Sequence, residues 1–246
     1  MKRKSIQTAI NPLPAKKMVI GTGMLAHAFS AFKADPHVCI FASGVSRSSE
    51  RERSAFEREL DLLSAQDNAF QLVYFSTCSL YDPSLQDSPY ILHKRKMEQL
   101  IADRFSKHLI VRLPNMIGRT KNPNTLTNFL RDRILQNEHF EVFQNATRYL
   151  LDVDDVIEDL SPIIKAPKEP RATLNVCGST PIHLPALVAM MEEVLDRNGD
   201  HDLVEKGQSY EVDNSKFLEL IGPSRKSTYE HQDLLRTLSK YYAERR

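Results

Sequence analysis

The most constraining feature of the chain lies near its start. Met18-Val-Ile-Gly-Thr-Gly23 is a short apolar run ending in two glycines, and Leu25, Phe29 and Phe32 follow on one helical face. Such a run reads as a buried strand, a tight turn and a helix. The turn fits Gly-x-Gly-x-x-Ala. In that pattern Gly21 permits the bend, Gly23 lets a pyrophosphate approach the backbone, and Ala26 lets helix and strand pack closely. A strand-to-helix bend that merely needs glycine fits equally well, so both readings stand. The acidic residue that would hold the ribose hydroxyls, expected about 20 residues further on, is missing, because Cys39 to Val45 contains no Asp or Glu. Arg47 offers a contact for a 2′-phosphate, or is a plain loop arginine.

Three further apolar runs, at 38–41, 72–75 and 109–111, read as strands. Each is followed by a helix or a long connection. Residues 48–64 form an amphipathic helix pattern, with Phe56, Leu60 and Leu63 on one side and Ser48 or Ser49 as caps. Residues 90–105 form another, with Tyr90, Met97, Leu100 and Ile101 on the apolar side. Strands alternating with helices imply a parallel sheet of the α/β class. From Asn115 on the pattern loosens into helices at 125–136, 154–164 and 185–197, a strand at 174–176, and elements near 213–220 and 231–242.

Composition narrows the function classes. The 246 residues are 41% apolar and 26% charged, enough for a real core. Thirty-three basic against 32 acidic residues leave +1, so no bulk field points to nucleic acid. No run approaches the roughly 18 apolar residues of a membrane span. Residues 1–17 read as a basic flexible tail without the apolar core of a secretory signal, which implies a cytoplasmic protein. Cys39, Cys78 and Cys177 are odd in number and lack metal-ligand spacing. The histidines show no zinc pattern, and His93 reads as a surface residue. Asp152, Asp154 and Asp155 read as a helix start, where carboxylates complement the dipole. No metal is expected.

Tyr90 and Lys94 lie one helical turn apart on one face. An ammonium beside a phenol favours phenolate and lowers its pKa, which suits general acid/base work at an alcohol or ketone. Thr77 ends the preceding strand. Its hydroxyl can orient the same oxygen, or it can cap the next turn.

These residues resemble the extended short-chain dehydrogenase/reductases that act on nucleotide sugars. Val73-Tyr-Phe-Ser-Thr-Cys-Ser-Leu-Tyr81 resembles their catalytic strand, with Thr77 in the place of the catalytic Ser/Thr and Tyr90 and Lys94 as the Tyr-x-x-x-Lys pair. Val111-Arg-Leu-Pro-Asn-Met-Ile-Gly118 resembles the strand whose Asn lies at the sugar and whose neighbouring backbone faces the nicotinamide. Arg148-Tyr-Leu-Leu-Asp-Val-Asp-Asp155 resembles the segment whose Arg grips the substrate diphosphate, and Leu174-Asn-Val-Cys-Gly-Ser179 resembles a strand of the C-terminal lobe. The resemblance implies a Rossmann-like, mostly parallel sheet with helices on both faces and a small substrate lobe. It implies NAD or NADP held by Gly21, Gly23, Met24, Leu25, Ala42, Ser43, Gly44 and Pro114, and a nucleotide sugar held by Asn115 and Arg148. It divides the chain into a nucleotide-binding part, 18–118 with pieces of 140–185, and a substrate lobe, 119–139 and 186–246. Relatives often dimerise through two helices, here 48–64 and 90–105.

Departures from the family pattern sharpen the expectation. Ile20 stands where the family's first turn glycine is usual. Cys78 and Ser79 replace the Asp-Glu of dehydratases, which argues against elimination of water. Phe41-Ala-Ser-Gly-Val45 resembles the fourth strand of the family, and only residues 26–40 separate it from the glycine turn. The second and third βα units are therefore missing, together with the ribose-binding acid. If residues 38–41 keep the family position, the intervening helix must change face or break the right-handed crossover rule. If the helix stays, the strand must move. The expected function is keto-sugar reduction or epimerisation through Thr77, Tyr90 and Lys94, with the lost adenosine contacts favouring a reductase that exchanges its cofactor. The alternative is a catalytically idle relative serving as a regulatory or nucleotide-binding subunit.

Overall fold

The computed structural model describes residues 18–243, so the basic segment 1–17 lies outside it. Strand β1 (Val19–Ile20) turns at Gly21 into α1 (Met24–Ala28), a 3-10 turn at Ser30–Ala34 and β2 (Val38–Phe41). Next come α2 (Arg53–Ser64), β3 (Gln71–Thr77), α3 (Pro89–Arg104) and β4 (His108–Leu113). Beyond β4 the chain forms β5 (Asn115–Ile117), α4 (Leu126–Gln136), β6 (Phe140–Phe143), β7 (Thr147–Arg148), β8 (Leu150–Asp152) and α5 (Val153–Lys165). It closes with β9 (Arg171–Asn175), β10 (Ile182–His183), α6 (Leu184–Leu195), β11 (His201–Val204), α7 (Ser215–Ile221), α8 (Pro223–Glu230) and α9 (Leu234–Tyr242).

Five strands make one parallel sheet in the order β1-β2-β3-β4-β9. All four residues of β2 are buried, as befits a parallel strand covered on both faces. Alternation separates those faces. Ile40, Val73, Phe75 and Val111 pack with Ala26, Phe29 and Phe32 of the α1 segment, with Val156, Leu160 and Ile164 of α5, and with Phe217 and Tyr229. Phe41, Leu72, Tyr74 and Ile110 pack with Leu63 of α2 and with Met97 and Ile101 of α3. The α/β class holds, and β2 keeps its place between β1 and β3.

That placement settles the crossover. The α1 segment lies on the α5 face, opposite α2 and α3. Links that step the same way across a parallel sheet with helices on opposite faces have opposite hands. With β2–α2–β3 and β3–α3–β4 in the usual right-handed form, the β1–α1–β2 link is left-handed. Aromatic contact fixes it there, with the rings of Phe29 and Phe75 5.2 Å apart.

The helix expected over 48–64 begins only at Arg53. Ahead of it the Glu50 carboxylate accepts from the backbone N–H groups of Arg51 and Glu52, at 2.9 and 3.0 Å, and from Arg47 at 3.1 Å. These local bonds compete with helix formation. Neither Ser48 nor Ser49 caps α2, and Arg47 is paired. For α3, Ser88 caps as the Ser-Pro start suggests, its hydroxyl accepting from Ile91 N–H at 3.3 Å.

A second core gathers Ile117, Leu130, Ile134, Phe140, Val142, Leu187, Val188, Met191, Leu238 and Tyr242. Around it sit the short pairs β5–β8, β6–β11 and β7–β10, none of which the sequence pattern singles out. Helix α9 is fastened by Tyr242, whose hydroxyl donates to Thr127 Oγ1 at 2.7 Å, and by Lys240, which bonds Asp152 at 2.6 Å. Asp152 also caps α5, accepting from Asp154 N–H at 3.0 Å. Among the described residues no helix is long and apolar enough to cross a membrane.

Phe29 is 1% exposed and anchors the left-handed link. Its replacement, Phe29→Ala, should cost about 3–5 kcal/mol, read as a lowered urea midpoint. A loss below about 1 kcal/mol would show that the link is not anchored there.

Candidate active site

The candidate residues collect at the C-terminal edge of the sheet, where β3 and β4 end level, Thr77 opposite Leu113. Thr77 meets its capping reading. Its Oγ1 accepts from Ser79 N–H at 3.0 Å, capping a 3-10 turn at Cys78–Tyr81, and its hydroxyl stands near enough to the Tyr90 phenol to work against the rise in that phenol's pKa. Helix α3 presents Tyr90 and Lys94 inward, 5% and 2% exposed.

Lys94 is not left facing Tyr90. Its Nζ donates to Glu59 Oε1 at 3.1 Å and to the Tyr74 hydroxyl oxygen at 3.0 Å. Glu59, on α2, has no exposed surface. Its carboxylate also accepts from Val45 N–H at 2.6 Å and from Tyr74 O–H at 2.6 Å, and bonds His93 Nε2 at 3.0 Å. Four partners thus converge on one buried carboxylate. Burial alone would raise its pKa, but the Lys94 charge and the bonds from His93, Tyr74 and Val45 hold it at about 2. For Lys94 burial works downward and Glu59 opposes it.

Tyr90 behaves accordingly. The expected depression of its pKa by Lys94 does not occur. Burial pushes the phenol up to about 12, and the nearby Thr77 hydroxyl offsets only part of that. The Lys94 ammonium sits 5.9 Å from the Tyr90 ring centroid, but Glu59 neutralises its field. His93, expected at the surface, is buried against Phe56, ring centroids 4.8 Å apart.

The glycine turn lies at the same edge. Gly21 has φ +124°, and a Cβ there would lie 2.3 Å from the Ala42 carbonyl oxygen, so close passage of β2 demands glycine. Gly23 opens α1 with free space where its Cβ would be. Met24 reaches over Gly118, while Leu25 packs on the sheet core. Ser43 is clasped by Arg58, which donates to its Oγ and to its carbonyl, both at 3.0 Å. Gly44 lies over the buried pair, and a Cβ there would be 2.7 Å from Lys94 Nζ.

Pro114 joins β4 to β5. Asn115 donates from its backbone and from Nδ2 to the Tyr149 carbonyl, at 3.1 and 3.3 Å. Arg148 donates to the Thr147 carbonyl at 2.7 Å and stands 3.7 Å from the Asp82 carboxylate, so an anion there already faces it. A bond with Cys177, then burial, raises the Cys78 thiol well above its usual range, which suits an inert residue. The sequence reading misses Glu59, Tyr74 and Ser76. Ser76 Oγ is buried on β3 with no partner in the protein. Glu59 has a signal, being a carboxylate on the apolar stripe of Phe56, Leu60 and Leu63. A cavity of about 410 Å³ lined by Met18, Lys33, Asp35 and Phe70 lies at the opposite end of the strands.

Residues 22–177 match the model of the NAD dependent epimerase/dehydratase family. No curated protein matches the sequence. Among solved structures, MoeE5 in complex with UDP-glucose and NAD superposes with TM-score 0.68 at 17% identity, covering 88% of this chain and 81% of that one. UDP-glucuronic acid 4-epimerase from Bacillus cereus, in complex with UDP-glucuronic acid and NAD, gives 0.62 at 15%, over 87% and 76%. The UDP-glucose 4-epimerase of Thermus thermophilus, in complex with NAD, gives 0.62 at 14%, over 87% and 80%. These likenesses establish the fold.

Breaking the buried pair from one side should be costly. Glu59→Gln leaves an ammonium without its counter-ion and should destabilise by about 3–5 kcal/mol. Adding Lys94→Met should restore most of that loss in a thermal melt; a double variant as unstable as the sum of the two singles contradicts the pairing. Because the folded pKa of Glu59 is depressed, its contribution is full above the ordinary carboxylate range. It is lost as pH falls toward 2.

Proposed function

The chain belongs to the NAD-dependent epimerase/dehydratase family, and from that premise we propose that it reduces or epimerises a nucleotide-linked sugar with NAD or NADP. The observation that carries this reading is the placement of Thr77 at the end of β3 with the buried α3 residues Lys94 and Tyr90, the latter a phenol that burial holds near 12. Such a phenol stays protonated at neutral pH, the form from which a proton can pass to a carbonyl oxygen. In the reductive direction Tyr90 would donate to a sugar carbonyl oxygen while Thr77 orients it.

The residues present fit the nicotinamide-ribose end of the cofactor. Lys94 spends two of its three N–H donors within the protein and keeps one. Gly44 packs directly against that ammonium, where any side chain would collide with it. Ser76 supplies a buried hydroxyl without a partner. When bound, the cofactor supplies or accepts the hydride. Ala42, Ser43, Gly44 and Pro114 would line it, with Gly21, Gly23, Met24 and Leu25 at the turn. Asn115 would meet the sugar, and the free N–H groups of Arg148 would pair with the diphosphate. Two of the solved structures named above carry a UDP-sugar with NAD and the third carries NAD, which supports this ligand class. The same reading puts the protein in the cytoplasm and a homodimer contact on α2 and α3, where Leu92 is exposed.

The Lys94–Glu59 pair favours a second reading, an idle nucleotide-binding subunit, since a spent ammonium cannot activate Tyr90. Turnover separates the two. With NADH or NADPH and UDP-4-keto-sugars, the purified chain should consume the dinucleotide, and Tyr90→Phe should lower kcat by about 10²–10⁴-fold. Wild-type turnover in Tyr90→Phe excludes the proposed chemistry. A total lack of turnover, with sugar-nucleotide binding intact, establishes the idle subunit.

A further inference from the structure

Which part of a dinucleotide this chain can hold follows from its strand order. A doubly wound sheet binds a dinucleotide across the point where strand order reverses, one mononucleotide half on either side. Here the order runs one way, β1-β2-β3-β4-β9, and reverses nowhere. Everything fitted to the nicotinamide end, from Gly44 and Ser76 to Tyr90 and Lys94, lies on the β2-to-β4 side.

On the other side of β1 the described residues supply no strand from which the second half could be made. A βαβ unit takes about 30 residues or more, and two would have to lie between β1 and β2. The link consists of residues 21–37 alone, with a five-residue helix and a 3-10 turn folded beneath the sheet. Among the described residues β1 pairs only with β2. The turn at Gly21 is filled by the approach of Ala42, and Arg47 reaches only its loop neighbour Glu50.

Resting on the dinucleotide reading above, we propose that this chain binds its cofactor by the nicotinamide-ribose-phosphate end and leaves the adenosine in solvent. Two consequences follow from the chemistry of the ligands. NADH and NADPH differ only at the adenosine ribose, so the site does not tell them apart. Reduced nicotinamide mononucleotide lacks the adenosine altogether and is a full ligand.

The chain has no tryptophan, so nicotinamide emission reports binding directly, without turnover. The full-length protein would be titrated with NADH, NADPH and reduced nicotinamide mononucleotide, then challenged with oxidised mononucleotide or ADP-ribose. The three Kd values should agree within about fivefold. Oxidised mononucleotide should displace NADH, and ADP-ribose should not. Binding of NADH or NADPH about 100-fold tighter than the mononucleotide, or displacement by ADP-ribose, overturns the inference while leaving the dinucleotide reading intact. Failure of all three to bind overturns that reading, and the inference with it.

Discussion

One buried carboxylate holds the candidate-site end of the molecule together. Glu59 has no contact with water and bonds the loop after β2 through Val45, the sheet through Tyr74, and α3 through His93 and Lys94. Taking a charge out of water costs several kcal/mol unless every lone pair finds a donor. Here they do, and the cost is met by bonds from separate elements. The cluster therefore fixes where α2 and α3 lie against β3. It also sets the local electrostatics, because Lys94 and Glu59 cancel within a dry site and Tyr90 sees no net positive charge. A Tyr-Lys pair read without its surroundings promises a phenolate. With Glu59 included, it gives a phenol.

The shortened nucleotide half is a second constraint with its own consequences. Direct passage from β1 to β2 leaves α1 on the face it shares with α5, and the link takes the rarer hand. Aromatic packing compensates. Phe29 and Phe32 bury themselves against Val73, Phe75 and Leu160, so the link is held by side chains rather than by a long helix. The edge that carries the candidate site is undisturbed by this economy, because β2, β3 and β4 keep full parallel ladders up to Thr77 and Leu113.

Much of this is legible in the residues, and the rest is hidden for identifiable reasons. The four long apolar runs and the Ser88-Pro89 helix start point to the central sheet and α3 from local patterns. The gap between Ala26 and Ile40 announces the missing units. It cannot say which way the crossover turns, because that depends on which face Phe29 finds. The start of α2 is misplaced by periodicity because Glu50 bonds its own loop, a competition that periodicity does not register. The small strands β5 to β8, β10 and β11 are two to four residues long and pair with distant partners, leaving no periodic trace. At the site, spacing alone finds Thr77, Tyr90 and Lys94, and the structure brings them to one edge. His93 and Glu59 pass for surface charge, although Glu59 interrupts an apolar stripe.

The central claim is that Glu59 spends the Lys94 charge and leaves Tyr90 protonated. Carbon-13 NMR of ζ-labelled tyrosine, with Tyr90→Phe to assign the signal, tests it most directly. The Tyr90 resonance should keep its phenol shift from pH 6 to about pH 10.5, in accord with a pKa near 12. A midpoint below about pH 9 would mean that Lys94 acts on Tyr90 after all, and would contradict the account.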